Sequence, residues 1–174
     1  YQDLGKGNIA KAIEGFNGTV FAYGQTGSGK THTAGTAADA MDGLAAGAAD
    51  GAPGALDPSS GILPRFLSEL FEFANRECLE WQCSISMVEI YKEEMRDLLD
   101  ATPKSVKLYK NAGQVIVQGL SEERVCSLEQ AVEVMVKGCN VRATGATNMN
   151  EHSSRSHAIM TVHLQQVRRG ANET

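Results

Sequence analysis

Positions 24–31 carry Gly-Gln-Thr-Gly-Ser-Gly-Lys-Thr, in which three glycines, a lysine and a threonine stand at fixed spacing. The stretch fits G-x-x-x-x-G-K-[S/T], the phosphate-binding loop, at every fixed position. Glycines let the backbone turn tightly and bring successive N–H groups against phosphate oxygens. Lys30 would reach the β- and γ-phosphates of a nucleoside triphosphate, and the Thr31 hydroxyl would bind Mg²⁺. The loop predicts a nucleotide site but does not separate kinases, GTPases, transport ATPases and motors.

A second stretch of polar side chains lies at positions 150–157, Asn-Glu-His-Ser-Ser-Arg-Ser-His. Its hydroxyl groups can bond a γ-phosphate, a Mg²⁺ ion or an attacking water, and Arg155 can pair with a carboxylate through two hydrogen bonds. An isolated serine-rich stretch is more often an ordinary polar loop. Because a phosphate-binding loop precedes it in the chain, this stretch is a candidate part of the same nucleotide site.

The elements around the first stretch suit a phosphate site. Residues 19–23, Thr-Val-Phe-Ala-Tyr, are β-branched, apolar or aromatic and predict a buried strand that leads into the loop. A helix is predicted to begin at Gly29 or Lys30, so that its first N–H groups and the positive end of its dipole would face the phosphates.

Apolar residues three to four positions apart predict further helices at about residues 9–16, 62–75 and 127–142. The last of these opens on a capping box, Ser127-Leu128-Glu129-Gln130. The residues predicted to face inward on the second and third of these helices are Phe66, Leu67, Leu70, Phe71, Ala74, Leu128, Ala131, Val132, Met135 and Cys139.

Alternating or β-rich segments predict the strands. They lie at residues 81–91 and 157–167, and a hairpin is predicted from 106–109 and 115–117 around the turn Asn-Ala-Gly. Between them and the phosphate loop, residues 34–60 are rich in alanine, glycine and aspartate with no apolar period, which predicts a flexible surface insert.

Composition excludes several classes of protein. The chain has 174 residues, 42% hydrophobic and 21% charged, which suits a globular domain, and no apolar run approaches the roughly 18 residues of a membrane span. A net charge of −5 argues against a general nucleic-acid binder. The four cysteines form no C-x-x-C pair and predict reduced, mostly buried thiols of a cytosolic protein.

The two polar stretches, in this order, resemble those of the kinesin motor domain. Further likeness lies in Phe-Asn-Gly-Thr-Val-Phe-Ala-Tyr at 16–23, Gly-Ile-Leu-Pro-Arg at 61–65, Val-Glu-Ile-Tyr at 88–91 and Arg-Asp-Leu-Leu at 96–99. The resemblance covers nearly the whole chain outside the insert, and the run from Ser153 onward is similar to the kinesin-4 group. It implies an α/β P-loop NTPase fold with a mixed central β-sheet flanked by helices. It also implies that residues 1–174 are a partial motor domain, incomplete at both ends.

The resemblance implies roles for individual residues. His32 would pack against the adenine ring, and about residues 143–157 would form switch I, the loop over the γ-phosphate. In switch I, Asn150 and Ser153 would contact the γ-phosphate or the lytic water, Ser154 would join Thr31 at Mg²⁺, and Arg155 would pair with a glutamate of switch II. The residues expected to bind the nucleotide are Gly24, Gln25, Thr26, Gly27, Ser28, Gly29, Lys30, Thr31 and His32.

The implied function is that of an ATP-dependent motor on microtubules, with ATP and Mg²⁺ as ligands and tubulin as partner. Its expected location is the cytoplasm and cytoskeleton, with no nucleic-acid or membrane partner and with dimerisation through regions outside this chain. Basic residues that could meet the acidic filament are Lys104, Lys107, Lys110, Arg124 and Arg142, although each taken alone is expected to be an ordinary surface residue.

The sequence lacks segments that the family uses for turnover, switch II and the N-terminal strand that contacts adenine. It contains no Asp-x-x-Gly-x-Glu segment, and Glu89, in a strand-like run, is expected to be structural and not a substitute. These 174 residues alone are therefore expected to have negligible ATPase activity. Two alternatives remain open, a microtubule-binding kinesin relative that does not hydrolyse ATP and an unrelated P-loop phosphotransferase.

Overall fold

The computed structural model describes residues 5–36, 60–100, 102, 106–147 and 156–168. They divide into two compact units. Unit 1 comprises Tyr1–Trp81, Ser127–Glu133 and Gln165–Thr174, and unit 2 comprises Gln82–Cys126 and Val134–Leu164. The elements in chain order are α1 Gly5–Ile13, α2 Lys30–Ala34, α3 Ile62–Glu77, β1 Cys78–Tyr91, β2 Glu94–Asp97, β3 Lys107–Asn111, β4 Gln114–Gln118, β5 Glu123–Val125, α4 Leu128–Thr147 and β6 Ser156–Arg168.

The core of unit 1 forms around α3, whose apolar stripe is buried as predicted. Leu67, Leu70, Phe71 and Ala74 are buried, while Phe66 is half-buried. The ring of Phe71 meets Trp81 edge-on, with ring centroids 5.5 Å apart, a geometry that aromatic pairs favour. The prediction of this helix from its apolar period is confirmed.

Helix α1 is shorter than its apolar residues predict. Ile9 is buried, but the helix ends at Ile13, Gly15 adopts a left-handed conformation with φ of 93°, and Phe16 is 64% exposed. The predicted extent to residue 16 was therefore wrong, because Gly15 turns the chain before Phe16.

A single side chain ties α1 to the ends of β1 and β6 that belong to unit 1. The Gln166 amide donates a hydrogen bond from Nε2 to the carbonyl of Ile13 at 2.6 Å. Its Oε1 accepts one from the Cys78 thiol at 3.3 Å. Gln166 lies on β6 and Cys78 opens β1, so one amide joins three elements.

The predicted strand at residues 19–23 is not present. These residues belong to no strand, and Phe21 and Tyr23 are 77% and 90% exposed, their rings stacked on each other with centroids 6.4 Å apart. The prediction of a buried strand was wrong for the described structure. A β-favouring segment forms a strand only beside a partner, and no strand of the described ranges pairs with it.

Unit 2 contains an antiparallel sheet and a separate hairpin. In the sheet, β1 pairs with β2, with Val88 opposite Asp97, and with β5, with Cys83 opposite Val125, and β6 also pairs with β1. The hairpin of β3 and β4 is the predicted one, closed by a turn at Ala112 and Gly113. Strand β1 begins three residues before its predicted start at Trp81.

Helix α4 confirms the predicted capping residue but not the predicted end. The backbone N–H of Gln130 donates to Ser127 Oγ at 3.4 Å, as an N-cap requires. The helix continues past Arg142 to Thr147, and the Thr144 hydroxyl donates back to the Val141 carbonyl at 3.0 Å within it. The first positions of the predicted switch I range are thus helical. The inward residues Ala131, Val132 and Met135 are buried, and Leu128 and Cys139 are half-buried.

None of the four cysteines forms a disulfide; Cys78 and Cys83 are buried as predicted, whereas Cys139 is half-buried and Cys126 is exposed. Among the helices in the described ranges, none has the length and apolar character that a bilayer crossing requires.

Candidate functional site

The phosphate-binding loop forms a compact turn directly before α2. The Ser28 N–H donates to the Gln25 carbonyl at 3.2 Å. Gly27 and Gly29 have φ of 79° and 84°, a left-handed conformation in which a side chain would be strained. Gly29 immediately precedes α2, which begins at Lys30 as predicted. The backbone conformation at Gly27 and Gly29 therefore favours glycine over any other residue.

The Lys30 side chain folds back across this loop. Its ammonium donates to the carbonyl of Gly24 at 2.8 Å and to that of Gln25 at 2.7 Å. Both acceptors are neutral carbonyls, and a charged phosphate oxygen forms a stronger hydrogen bond with an ammonium group. Lys30 is thus held over the loop by contacts that a phosphate group can replace.

The remaining residues of the loop are open to a ligand. The Thr31 carbonyl accepts hydrogen bonds from the N–H groups of Gly35 at 3.0 Å and Thr36 at 3.1 Å. The exposed residues are Gln25, Thr26, Gly27, Ser28, Gly29, Thr31 and His32, and Gly24 is half-buried. An ammonium group, a run of loop N–H groups and an exposed hydroxyl at Thr31 fit the needs of a triphosphate with Mg²⁺.

A close glycine contact fixes the chain where it leaves α2. A methyl group added to Gly35 would lie 2.7 Å from Pro64 Cδ and 2.9 Å from Gly61 Cα. Gly35 also ends α2 in a left-handed conformation, and its N–H donates to the carbonyls of Thr31 and His32, each at 3.0 Å. The phosphate loop and its short helix are therefore anchored on the start of α3.

Several predicted functional residues lie outside the described residues. These are Asn150, Ser153, Ser154 and Arg155 of the second polar stretch, Lys104 of the basic set, and residues 37–59 of the predicted insert. The nearest described neighbours of the second stretch are Thr147 at the end of α4 and Ser156 at the start of β6.

Unit 2 contains a buried ion pair that sequence reasoning missed. Glu89, 1% exposed, accepts a hydrogen bond from Arg142 Nε at 3.3 Å. Arg142 Nη2 donates to Ser156 Oγ at 3.1 Å and to the Ser156 carbonyl at 3.5 Å. Arg142 was predicted as a surface candidate for filament contact; its side chain is 28% exposed, and its guanidinium bonds Glu89 and Ser156. The available signal was a single acid within the apolar run of β1.

The hairpin keeps the other basic candidates at the surface. Lys107 and Lys110 are exposed on it, as is Arg124 on β5. The hairpin also bears a groove of about 590 Å³ lined by Tyr109, Lys110, Asn111, Ile116, Val117 and Gln118. The hairpin thus exposes both apolar side chains and ammonium groups.

Burial controls the titration of two thiols. Burial, with a smaller contribution from Cys126, raises the pKa of Cys83 to about 11. Burial also raises the pKa of Cys139, against the opposing effect of the Arg142 charge. Neither thiol is therefore a ready nucleophile at neutral pH.

The motif and its geometry are those of the P-loop class of proteins. The kinesin motor domain family model matches residues 1–174. Human kinesin-1 heavy chain is 37% identical over 170 residues, which is 95% of this chain and 16% of that protein. Kinesin-like protein KIF27 of Rattus norvegicus is 39% identical over 170 residues, covering 95% of this chain and 11% of its own length. The chain belongs to the kinesin motor domain family.

Structural similarity supports the same assignment. A solved structure of a fast kinesin, described with implications for its ATPase mechanism and its interactions with microtubules, superimposes with a TM-score of 0.76 at 36% identity. The match covers 91% of this chain and 42% of that one. The predicted α/β kinesin-motor fold is confirmed, and the similarity to the kinesin-4 group stays a prediction.

Proposed function

We propose that this chain is the nucleotide-binding part of an ATP-driven microtubule motor. The observation that carries the proposal is the phosphate loop of a kinesin-family chain, with Lys30 held over it by the Gly24 and Gln25 carbonyls. Because the chain spans between 11% and 16% of the relatives named above, the activity and partners are proposed for the whole protein.

The proposed roles follow the family motif. Residues 24–31 bind the phosphates, with Lys30 between the β- and γ-phosphates, and His32 packs on the adenine ring. Thr31 and Ser154 are the proposed ligands of Mg²⁺, which would neutralise charge on the phosphate oxygens. In switch I, Asn150 and Ser153 contact the γ-phosphate or orient the attacking water, and Arg155 pairs with a carboxylate of switch II. Turnover is expected to need that carboxylate, which these 174 residues do not contain.

The proposed partner is the microtubule, in the cytoplasm and on the cytoskeleton. The hairpin of β3 and β4 supports this, since it exposes Lys107 and Lys110 beside apolar side chains and the filament surface is acidic. Dimerisation through other regions of the protein, and the lack of nucleic-acid and membrane partners, are expectations from the family.

The decisive test is Lys30→Ala in the complete motor domain. Nucleotide affinity, measured with a fluorescent ATP analogue, should fall at least about tenfold, the value of one charge-assisted hydrogen bond. Lys11→Ala removes an exposed lysine of α1 and is the matched control. Unchanged affinity of the Lys30 variant would overturn the phosphate-loop assignment.

Steady-state assays separate the two alternatives. Microtubule-stimulated ATP hydrolysis by the complete domain supports the motor. ATP binding without hydrolysis, together with co-sedimentation on microtubules, indicates a non-hydrolysing relative. Transfer of phosphate to a small molecule in the absence of microtubules would indicate a phosphotransferase.

A further inference from the structure

The guanidinium of Arg142 joins three elements of unit 2. Arg142 lies on α4, its partner Glu89 lies on β1, and Ser156 is the first residue of β6. Nε donates to Glu89 Oε1 at 3.3 Å, and Nη2 donates to Ser156 Oγ at 3.1 Å. One side chain therefore connects the late part of a helix, the middle of the sheet and the start of the last strand.

Because Glu89 is buried, a lost or displaced contact to its carboxylate is costly. Glu89 is 1% exposed, and a buried carboxylate requires a hydrogen-bonded cation. The planar fork of arginine can serve two acceptors at once in a fixed geometry, whereas lysine presents a single compact charge. Since the same guanidinium satisfies Glu89 and reaches Ser156, a shift of the carboxylate or of the β6 start would disturb the other contact.

The Arg142–Ser156 contact flanks the second polar stretch in the sequence. Arg142 and Ser156 are 14 residues apart, and Asn150, Ser153, Ser154 and Arg155 lie between them in sequence. Ser156 directly follows Arg155. The contact therefore fixes the distance between the helix that precedes the second polar stretch and the strand that follows it.

We propose that Glu89 and Arg142 are positioning residues for nucleotide turnover, acting through Ser156 on the placement of switch I. The inference rests on the proposed function, in which switch I contacts the γ-phosphate. Neither residue is assigned a contact with nucleotide. Loss of the fork should therefore reduce turnover while the phosphate loop continues to bind ATP.

The main test compares Arg142→Lys and Ser156→Ala in the complete motor domain. Arg142→Lys should lower kcat at least about tenfold, because small misplacements of reacting groups cost that much or more, with the Kd for ATP changed less than about threefold. Ser156→Ala removes one acceptor from the contact without leaving a buried charge, so it should lower kcat without loss of folding. The double variant should be little worse than Arg142→Lys, because both substitutions remove one contact.

Arg76→Lys is the matched control. Arg76 also pairs with a glutamate, Glu77, at 2.7 Å, but this pair is exposed on α3. Its variant should leave kcat unchanged. Wild-type kcat in Arg142→Lys, a parallel loss of ATP affinity, or fully additive effects in the double variant would each overturn the proposal.

Amide hydrogen exchange supplies a readout that does not depend on hydrolysis. Exchange at residues 143–147 and 156–160 should accelerate at least about tenfold in Arg142→Lys and in Ser156→Ala, and not in Arg76→Lys. If the wild-type domain fails to hydrolyse ATP, the proposed function falls, and unchanged exchange would still refute the positioning role on its own.

Discussion

Gly35 and Gly61 meet backbone to backbone, with no room between them for a methyl group. Gly35 ends α2, and Gly61 is the residue before α3. The chain therefore leaves α2 and enters α3 at nearly the same point of unit 1. Two consequences for stability can be measured.

The first prediction concerns Gly35→Ala, which should lower the unfolding free energy of the motor domain by about 2–5 kcal/mol. Overlap with Pro64 and Gly61 costs about 1–3 kcal/mol, and the left-handed conformation at φ of 81° adds about 1–2 kcal/mol. Urea titration measures the change. Gly7→Ala, in α1 with nothing within 4 Å of the added methyl group, is the control and should be neutral or stabilising. Equal losses in both variants would contradict the packing argument.

The second prediction is that the segment between these glycines can be shortened. Replacing residues 37–59 with a short Gly-Ser linker should change the unfolding free energy by less than about 1 kcal/mol, because closing a loop costs little when its ends already meet. Circular dichroism and urea titration provide the measurement. The same replacement combined with Gly61→Ala should be clearly destabilised, and failure of the simple replacement to fold would refute the contact.

The third prediction concerns Asp97, a buried carboxylate at the end of β2. It accepts backbone N–H groups from Leu99 at 2.8 Å and from Ser121 at 2.7 Å. Asp97→Asn turns one acceptor into a donor facing an N–H, so the unfolding free energy should fall by about 1–3 kcal/mol. Asp100→Asn is the control, since Asp100 accepts from Thr102 at the surface. A loss in the control as large as that in Asp97→Asn would argue against the role of burial.

The fourth prediction follows from the Cys83 thiol, whose pKa burial raises from its ordinary value of 9.0 to about 11. Above pH 9 the unfolded chain loses this proton while the folded protein keeps it. The unfolding free energy should therefore fall as pH rises from 9 to 11, by about 2–3 kcal/mol, and its full contribution should be present below pH 9.

Urea titrations between pH 8 and 11 test this dependence. Cys83→Ala removes the thiol and leaves the titration of lysines and tyrosines in place, so the difference in slope between the two proteins isolates Cys83. Parallel pH profiles would contradict the assignment.

The sequence pattern correctly predicted the elements that are specified by residues close together in the chain. The apolar period of residues 62–75 gave α3, the Asn-Ala-Gly turn gave the β3–β4 hairpin, and the phosphate-loop motif gave the turn before Lys30. Each of these elements is specified within about a dozen residues. Its outcome therefore needs no knowledge of distant parts of the chain.

The wrong predictions concern segments whose structure depends on residues far away in the sequence. Residues 19–23 have strand propensity, but no strand of the described ranges pairs with them. Helix α4 passes its predicted end at Arg142, whose side chain is held by Glu89, 53 residues away. The spacing of apolar residues along α4 does not reveal that Glu89 is the partner of Arg142. Glu89, flanked by the apolar residues Val88 and Ile90 of β1, was the clue that a cation lies nearby.

The hydrogen bond from Gln166 to the carbonyl of Ile13 spans 153 residues of sequence. On the ribosome, helix α1 is synthesised before this amide, and the interval is roughly 8–30 s at ordinary elongation rates. Through that interval, unit 1 of the nascent chain lacks the hydrogen bond that ties α1 to β6.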